Sequence, residues 1–145
     1  MIAQDNAQTA LAYEDAYNAR DWDAAVALCA PNVTVVNVAT GHTFQGAAGL
    51  WEFLEGWATA FPDSKAEMTK VIADEHCAAL EFIGRGTHRG PLAGPTGVIP
   101  ATGRSVAVPC VEALELEQGK ITSSRMYFDL ASMLRQLGLM QPPGQ

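Results

Sequence analysis

Three stretches in the first half of the chain repeat their apolar residues at helical spacing. Between about Asn6 and Arg20, Ala10, Tyr13 and Tyr17 fall on one face. Asp21 then stands as an N-cap before Trp22, Ala25, Val26 and Cys29, which follow i, i+3, i+4, i+7 until Pro31 stops them. After a β-rich piece, Val33 to Val38, the clearest helical pattern begins at Gly46, runs through Leu50, Phe53, Leu54, Trp57 and Phe61, and closes at Pro62. Beyond Pro62 the texture changes to β-branched residues and alternation, predicting strands over roughly Lys65 to Ala73, Cys77 to Arg89, Arg104 to Glu117 and Lys120 to Phe128. Asp74-Glu75 and Gln118-Gly119 read as hairpin turns. Gly90 to Gly103, with four Gly and three Pro, reads as a long irregular connection, a length that in small domains often makes a lid. A last helix is expected from Leu130 to Leu137, with Gly138 just past its end and residues 140–145 frayed.

This order predicts an α+β fold, with three N-terminal helices covering one face of a bent antiparallel sheet and a pocket between them. The Gln118-Gly119 turn decides which side chains line it. A three-residue loop with Gly119 left-handed pairs Leu116 with Lys120 and divides the last two strands into two faces. One carries Pro109, Val111, Ala113, Glu115, Ile121, Ser123, Arg125, Tyr127 and Asp129; the other carries Val106, Val108, Cys110, Glu112, Leu114, Leu116, Met126 and Phe128. The first is taken as the pocket face.

Composition narrows the picture. The 145 residues make one domain, and 48% apolar content is enough for a packed core. Sixteen acidic against nine basic residues give a net charge of -7, which repels phosphate backbones and anionic lipid, so neither nucleic acid nor a membrane is expected as a partner. Cys29, Cys77 and Cys110 are odd in number and scattered, which suggests neither disulfides nor zinc and fits a reducing cytoplasm. The start, MIAQDNAQ, lacks a signal-peptide pattern, and the mature chain is expected to begin near Met1.

The chain contains no GxxxxGK[ST], GxSxG, HExxH or CxxC, and Gly84-Arg85-Gly86 lacks the context of a dinucleotide loop, so no cofactor and no metal are expected. His42, His76 and His88 are too dispersed to form a ligand set. What remains is Arg125 and Asp129 on a nearly apolar strand with Tyr127 between them. For Asp129, helix capping competes with catalysis. Arg125 reads equally as an ion-pair partner, Glu115 as a solvated strand residue, His88 as a hydrogen-bonded structural residue, and Trp51 and Trp57 as core.

Several short motifs in order resemble the SnoaL-like polyketide cyclase family: FPD (Phe61 to Asp63), GTHRGP (Gly86 to Pro91), PATGR (Pro100 to Arg104), GKI (Gly119 to Ile121), SRMYFD (Ser124 to Asp129) and RQLG (Arg135 to Gly138). The resemblance implies the nuclear transport factor 2-like cone and a cofactor-free intramolecular aldol closure of an aromatic polyketide methyl ester. It places the family's acid/base at Asp129 and its Gly-x-His-x-Gly histidine at His88. Arg125, Tyr127, Glu115, Trp57, Tyr17 and Phe82 are the substrate-binding candidates. Where the cyclases carry a His, this chain has Glu115, and the loop from Gly90 to Gly103 is longer. The function expected is a cofactor-independent cyclase, or related lyase or isomerase, acting on a hydrophobic carbonyl-bearing small molecule. The alternatives are a non-catalytic small-molecule-binding or dimerisation module, and an epoxide hydrolase or isomerase on the same fold, whose Arg-x-Asp spacing this chain does not match. The apolar face bearing Val106 to Phe128 is expected to be exposed and to join two subunits in a homodimer through the sheet.

Overall fold

In the computed structural model, which describes residues 2–141, two helices precede the first strand. Helix α1 (Ala3–Asn18) turns Ala10, Tyr13 and Glu14 inward. Arg20, at φ 59°, turns the chain sharply after it, and the Asp21 carboxylate then accepts a hydrogen from Ala24 N to open α2 (Trp22–Ala27), a cap that stabilises such a helix by about 1 kcal/mol. Strand β1 (Cys29–Asn37) begins earlier than its β-branched run suggests, and a short exposed strand, β2 (His42–Gln45), pairs back on it. Only then comes α3 (Gly46–Ala60), followed by β3 (Lys65–Ala73) and β4 (Cys77–Thr87). The expected long loop instead folds into a two-stranded ribbon, β5 (Leu92–Gly94) and β6 (Gly97–Ile99), held by the burial of Leu92. Strands β7 (Ser105–Glu117) and β8 (Lys120–Phe128) lead into α4 (Leu130–Gln136). Gly138, at φ 77°, ends this helix. Of the tail expected to fray, 142–145 lie outside the described residues. No described helix is long and apolar enough to cross a membrane.

The α+β class holds, but the expected cone of three N-terminal helices on a curved antiparallel sheet is corrected in three respects. Only two helices come before the sheet, because β2 intervenes before α3; its four exposed or half-exposed residues carry no alternation that would announce a strand. The sheet is mixed, order β2-β1-β8-β7-β4-β3, since β1 and β8 run parallel. Apolar periodicity carries no information about strand direction. The sheet is also open: β2 and β3 are its edges and do not pair with each other. The pocket is bounded by helices packed over one face rather than by a sheet curling on itself.

The β7–β8 turn explains a further correction. Gln118 and Gly119 both have positive φ, 50° and 77°, as a two-residue type I′ hairpin turn requires. Glu117 therefore pairs with Lys120 and Leu116 with Ile121, one register step from the expectation. A bulge at Thr122 adds a second step, so Glu115 pairs with Ser123 and Glu112 with Met126. Two steps restore the parity, and the two faces keep nearly the grouping read from the sequence, with Ile121 changing sides. Their orientation is reversed. Val106, Val108, Cys110, Glu112, Leu114, Leu116, Ile121 and Met126 are buried beneath the helices of their own chain, whereas Glu115, Arg125 and Tyr127 are exposed on the opposite side. The stripe from which the homodimer was expected is thus interior.

Candidate functional site

A pocket lies between α1, α3, α4 and the covered face of the sheet. Its wall is almost wholly apolar: Phe53, Leu54, Trp57 and Phe61 from α3 and the turn after it, Phe82 from β4, Val106, Val108 and Cys110 from β7, Met126 and Phe128 from β8, and Met133 from α4. The aromatic side is ordered by ring contacts, Trp57 meeting Phe128 edge-on at 5.5 Å and stacking on Phe61 at 6.3 Å between centroids. The cavity has a volume of about 90 Å³, more than a single water needs.

The polar groups in this wall come chiefly from α1. Tyr17 is fixed by a 2.6 Å hydrogen bond with the Ser64 hydroxyl and by the Arg20 guanidinium, 4.7 Å above its ring. The same guanidinium donates to the carbonyls of Tyr17, Pro62 and Ser64, tying the end of α1 to the α3–β3 corner. One turn earlier, Tyr13 and Glu14 are 3% and 4% exposed, and Glu112 on β7, facing them, is 3% exposed. Ser124 donates to Glu112 Oε2 at 2.9 Å. Burial, then the charge of Glu112 and the hydrogen bond with it, hold Glu14 well above the usual carboxylate range. Burial also raises Glu112, while hydrogen bonds from Glu14 and Ser124 pull it part of the way back. The Tyr13 phenol is held well above its ordinary value by burial and then by the charge of Glu112. Among the described residues, Tyr13 Oη and Glu14 Oε1 have no partner at hydrogen-bond geometry; Ser124, which gives its hydrogen to Glu112, stands beside the phenol with its oxygen lone pairs and draws its value part of the way down. The thiols of Cys29 and Cys110 are pushed up to about 12, first by burial, and so stay protonated. Among the described residues no group of three or more His, Cys, Asp and Glu is placed to hold a metal ion.

The residues singled out from sequence divide between three places. Trp57, Tyr17 and Phe82 line the pocket. Asp129 is exposed at the corner between β8 and α4, between the pocket residues Phe128 and Met133; its Oδ1 accepts from Ser132 N at 3.0 Å and caps the helix. His88 is completely buried, but behind Phe61, against which its ring packs at 5.3 Å. Its Nδ1 accepts from Thr102 N at 3.2 Å, so the neutral ring carries its hydrogen on Nε2, which has no partner among the described residues. Burial keeps its basicity below that of an ordinary imidazole. Glu115, Arg125 and Tyr127 stand on the outer face, where Arg125 Nε donates to Tyr127 Oη at 3.2 Å and Glu115 and Arg125 border a shallow depression with Ile72 and Ala79.

Three of the short motifs, FPD, GTHRGP and PATGR, meet at the corner that holds Phe61. Asp63 of FPD accepts from Thr87 N and Oγ1 of GTHRG, hydrogen bonds that draw its carboxyl below the usual range. A Cβ on Gly86 would stand 3.0 Å from Phe61 Cβ and 3.1 Å from Ser64 Cβ, so any side chain there would press on the turn after α3. Thr102 of PATGR holds His88, and Gln136 of RQLG accepts from Ala107 N and donates to Ala107 O, docking α4 on β7.

Glu14, Glu112, Ser124 and Tyr13 were not among the candidates. The signal was present: Ala10, Tyr13, Glu14 and Tyr17 follow i, i+3, i+4, i+7, which puts a carboxylate in the inward stripe of α1. Glu112 likewise interrupts the apolar alternation from Val106 to Leu116.

The chain thus combines an α+β fold, with helices over one face of a mixed sheet, and an apolar pocket bearing acid and phenol groups. Its sequence carries the pattern described as SnoaL-like polyketide cyclase over residues 7–137, and the chain belongs to that family. Among solved structures it is similar to a protein assigned as a SnoaL-like polyketide cyclase from Jannaschia sp. CCS1, with 19% identity, TM-score 0.85 and coverage of 97% of this chain and 96% of that one. AclR from Streptomyces galilaeus is 23% identical at TM-score 0.80, covering 97% and 89%. A protein assigned as a polyketide cyclase from Silicibacter sp. TM1040 is 28% identical at TM-score 0.76, covering 94% and 97%. No curated protein matches the sequence.

Proposed function

We propose that the protein is a cofactor-independent cyclase that closes a ring on a hydrophobic, carbonyl-bearing small molecule held in this pocket. The observation that carries the reading is the apolar pocket itself, whose wall includes Phe128 and Met133, the lining residues that bracket Asp129 along the chain; Asp129 is exposed, with its Oδ1 engaged by Ser132 N. In the reaction a carboxylate removes a carbon-bound proton, the resulting enolate carbon attacks a second carbonyl carbon of the same molecule, and the oxygen of that carbonyl takes a proton to become a hydroxyl. A positioned base contributes roughly 10²- to 10⁴-fold to such a step. Asp129 is the proposed base, and the face of Trp57 with Phe61 and Phe128 is the surface on which a planar substrate lies. His88, shielded by Phe61, supports that surface.

The test is turnover of aromatic polyketide methyl esters, followed by chromatography. Asp129→Asn keeps a side chain able to cap α4, so the expected result is a folded protein whose ring closure falls at least 100-fold. Full turnover by this variant removes Asp129 from the chemistry. No closure by the wild type leaves the binding-module reading, which the exposed, capping geometry of Asp129 favours.

A further inference from the structure

The deep end of the pocket holds polar groups that the proposed chemistry at Asp129 leaves unused. Ser124, beside Glu112, lies four residues before Phe128 on β8, about 13 Å along the strand, so this end is distinct from the α4 corner. There Tyr13 and Glu14 line the pocket, and their Oη and Oε1 are buried without a partner among the described residues. A buried polar atom without a hydrogen bond costs on the order of 1–3 kcal/mol in an empty protein, a penalty that a bound group of matching polarity removes. The two orphans are complementary, since the phenol has a hydrogen to give and the carboxyl oxygen a lone pair to receive one.

We propose that Tyr13, Glu14 and Glu112 form a hydroxyl-recognising end of the pocket: a phenol, enol or alcohol of the bound molecule accepts a hydrogen from Tyr13 Oη and donates its own to Glu14 Oε1, while one proton is held between Glu14 and Glu112. This deepens the cyclase reading by naming the substrate class as hydroxylated, and it rests on that reading only for what happens after binding. The surroundings suit a shared proton. Around the pair are Tyr13, Tyr17 and the exposed Asp15 on α1, Cys29 on β1, and Cys110 and Ser124 on β7 and β8, none of them a cation. Lys65 and Arg85 also line the pocket, but both are exposed, Lys65 donating to Asn18 O and Arg85 pairing with Glu67 at 2.7 Å. With no cation among the described residues that act on the pair to balance two buried negative charges, a proton between them is the arrangement that leaves Glu14 Oε1 free to accept. A ligand ether or bare carbonyl would satisfy Tyr13 and leave Glu14 orphaned, so the site distinguishes hydroxyl from carbonyl.

The experiment compares 2-naphthol with naphthalene by calorimetric or NMR titration. Wild type is expected to bind the naphthol at least tenfold more tightly. Tyr13→Phe, which removes an unpaired hydroxyl and leaves the ring packing intact, should bring the two affinities together, and so should Glu14→Leu. Glu14→Gln should keep the preference, because its amide can donate to Glu112 and its carbonyl can replace Oε1. Independently, infrared spectra of the ligand-free wild type at pH 7 should contain a buried carboxylic acid band that Glu14→Gln removes. Equal affinities for the two compounds in the wild type, no binding of either, or absence of the acid band would each overturn the proposal. None of these readouts uses turnover, so a preference for naphthol in a protein that closes no ring overturns the cyclase reading and leaves this one standing.

Discussion

Glu14 and Glu112 link the chemistry of single residues to the stability of the chain. Both titrate higher in the folded protein than the ordinary 4.5, so the folded chain retains protons that the unfolded chain releases. Stability from this source is fully present below about pH 4.5 and is lost as pH rises through the folded values. Glu14→Gln carries no titrating proton. In urea titrations between pH 5 and pH 9, the wild type should therefore lose on the order of 1–2 kcal/mol relative to this variant as pH rises. A constant difference across that range would show that the pair does not titrate as described. Leu114, 1% exposed on the covered face of β7, gives a second residue-scale expectation. Leu114→Arg buries an unpaired charge and should abolish cooperative unfolding in circular dichroism rather than dissociate subunits.

At the scale of elements, the β7–β8 hairpin joins the two ends of the pocket, and its turn depends on Gly119 at φ 77°. Gly119→Val places a β-branched residue in the left-handed region and should cost about 1–2 kcal/mol, with hydrogen exchange accelerating first at Leu116 and Ile121. Strands β3 and β8 have the bounds that their alternation predicts, and α3 ends at the expected Pro62 stop, because a core-facing stripe writes itself directly into the order of residues. The side on which the helices lie was not legible in the same way. Val111 and Ala113 on one face of β7 are as apolar as their neighbours on the other, so the pattern divides the faces without saying which is covered. That ambiguity is why Glu112 reads as part of an exposed stripe and Arg125 as part of a pocket. The candidate site was legible only where aromatic bulk marks it, at Tyr17, Trp57 and Phe82. The carboxyl pair spans α1 and β7, and only the tertiary fold makes Glu14 and Glu112 neighbours.

For the molecule as a whole, the pocket is the place where binding and folding meet. Its wall draws on α1, α3 and α4, and on β3, β4, β7 and β8, so a ligand that fills it braces elements distant in sequence. A molecule that binds only the folded chain stabilises it by about 2.7 kcal/mol at a concentration of 100 times its dissociation constant, which in a domain of this size raises the melting temperature by several degrees. Hydroxylated aromatic compounds should produce this shift in the wild type. Val108→Phe places a ring in the space between β7 and the helices; it costs about 1–3 kcal/mol through overpacking and lowers the baseline melting temperature, but it leaves the rest of the wall in place. The expected outcome is a folded variant whose melting temperature no longer responds to 2-naphthol. A shift of wild-type size in Val108→Phe would mean that the compound binds elsewhere, for instance in the shallow depression beside Glu115 and Arg125 on the outer face, and Arg125→Ala would then be the variant that removes it.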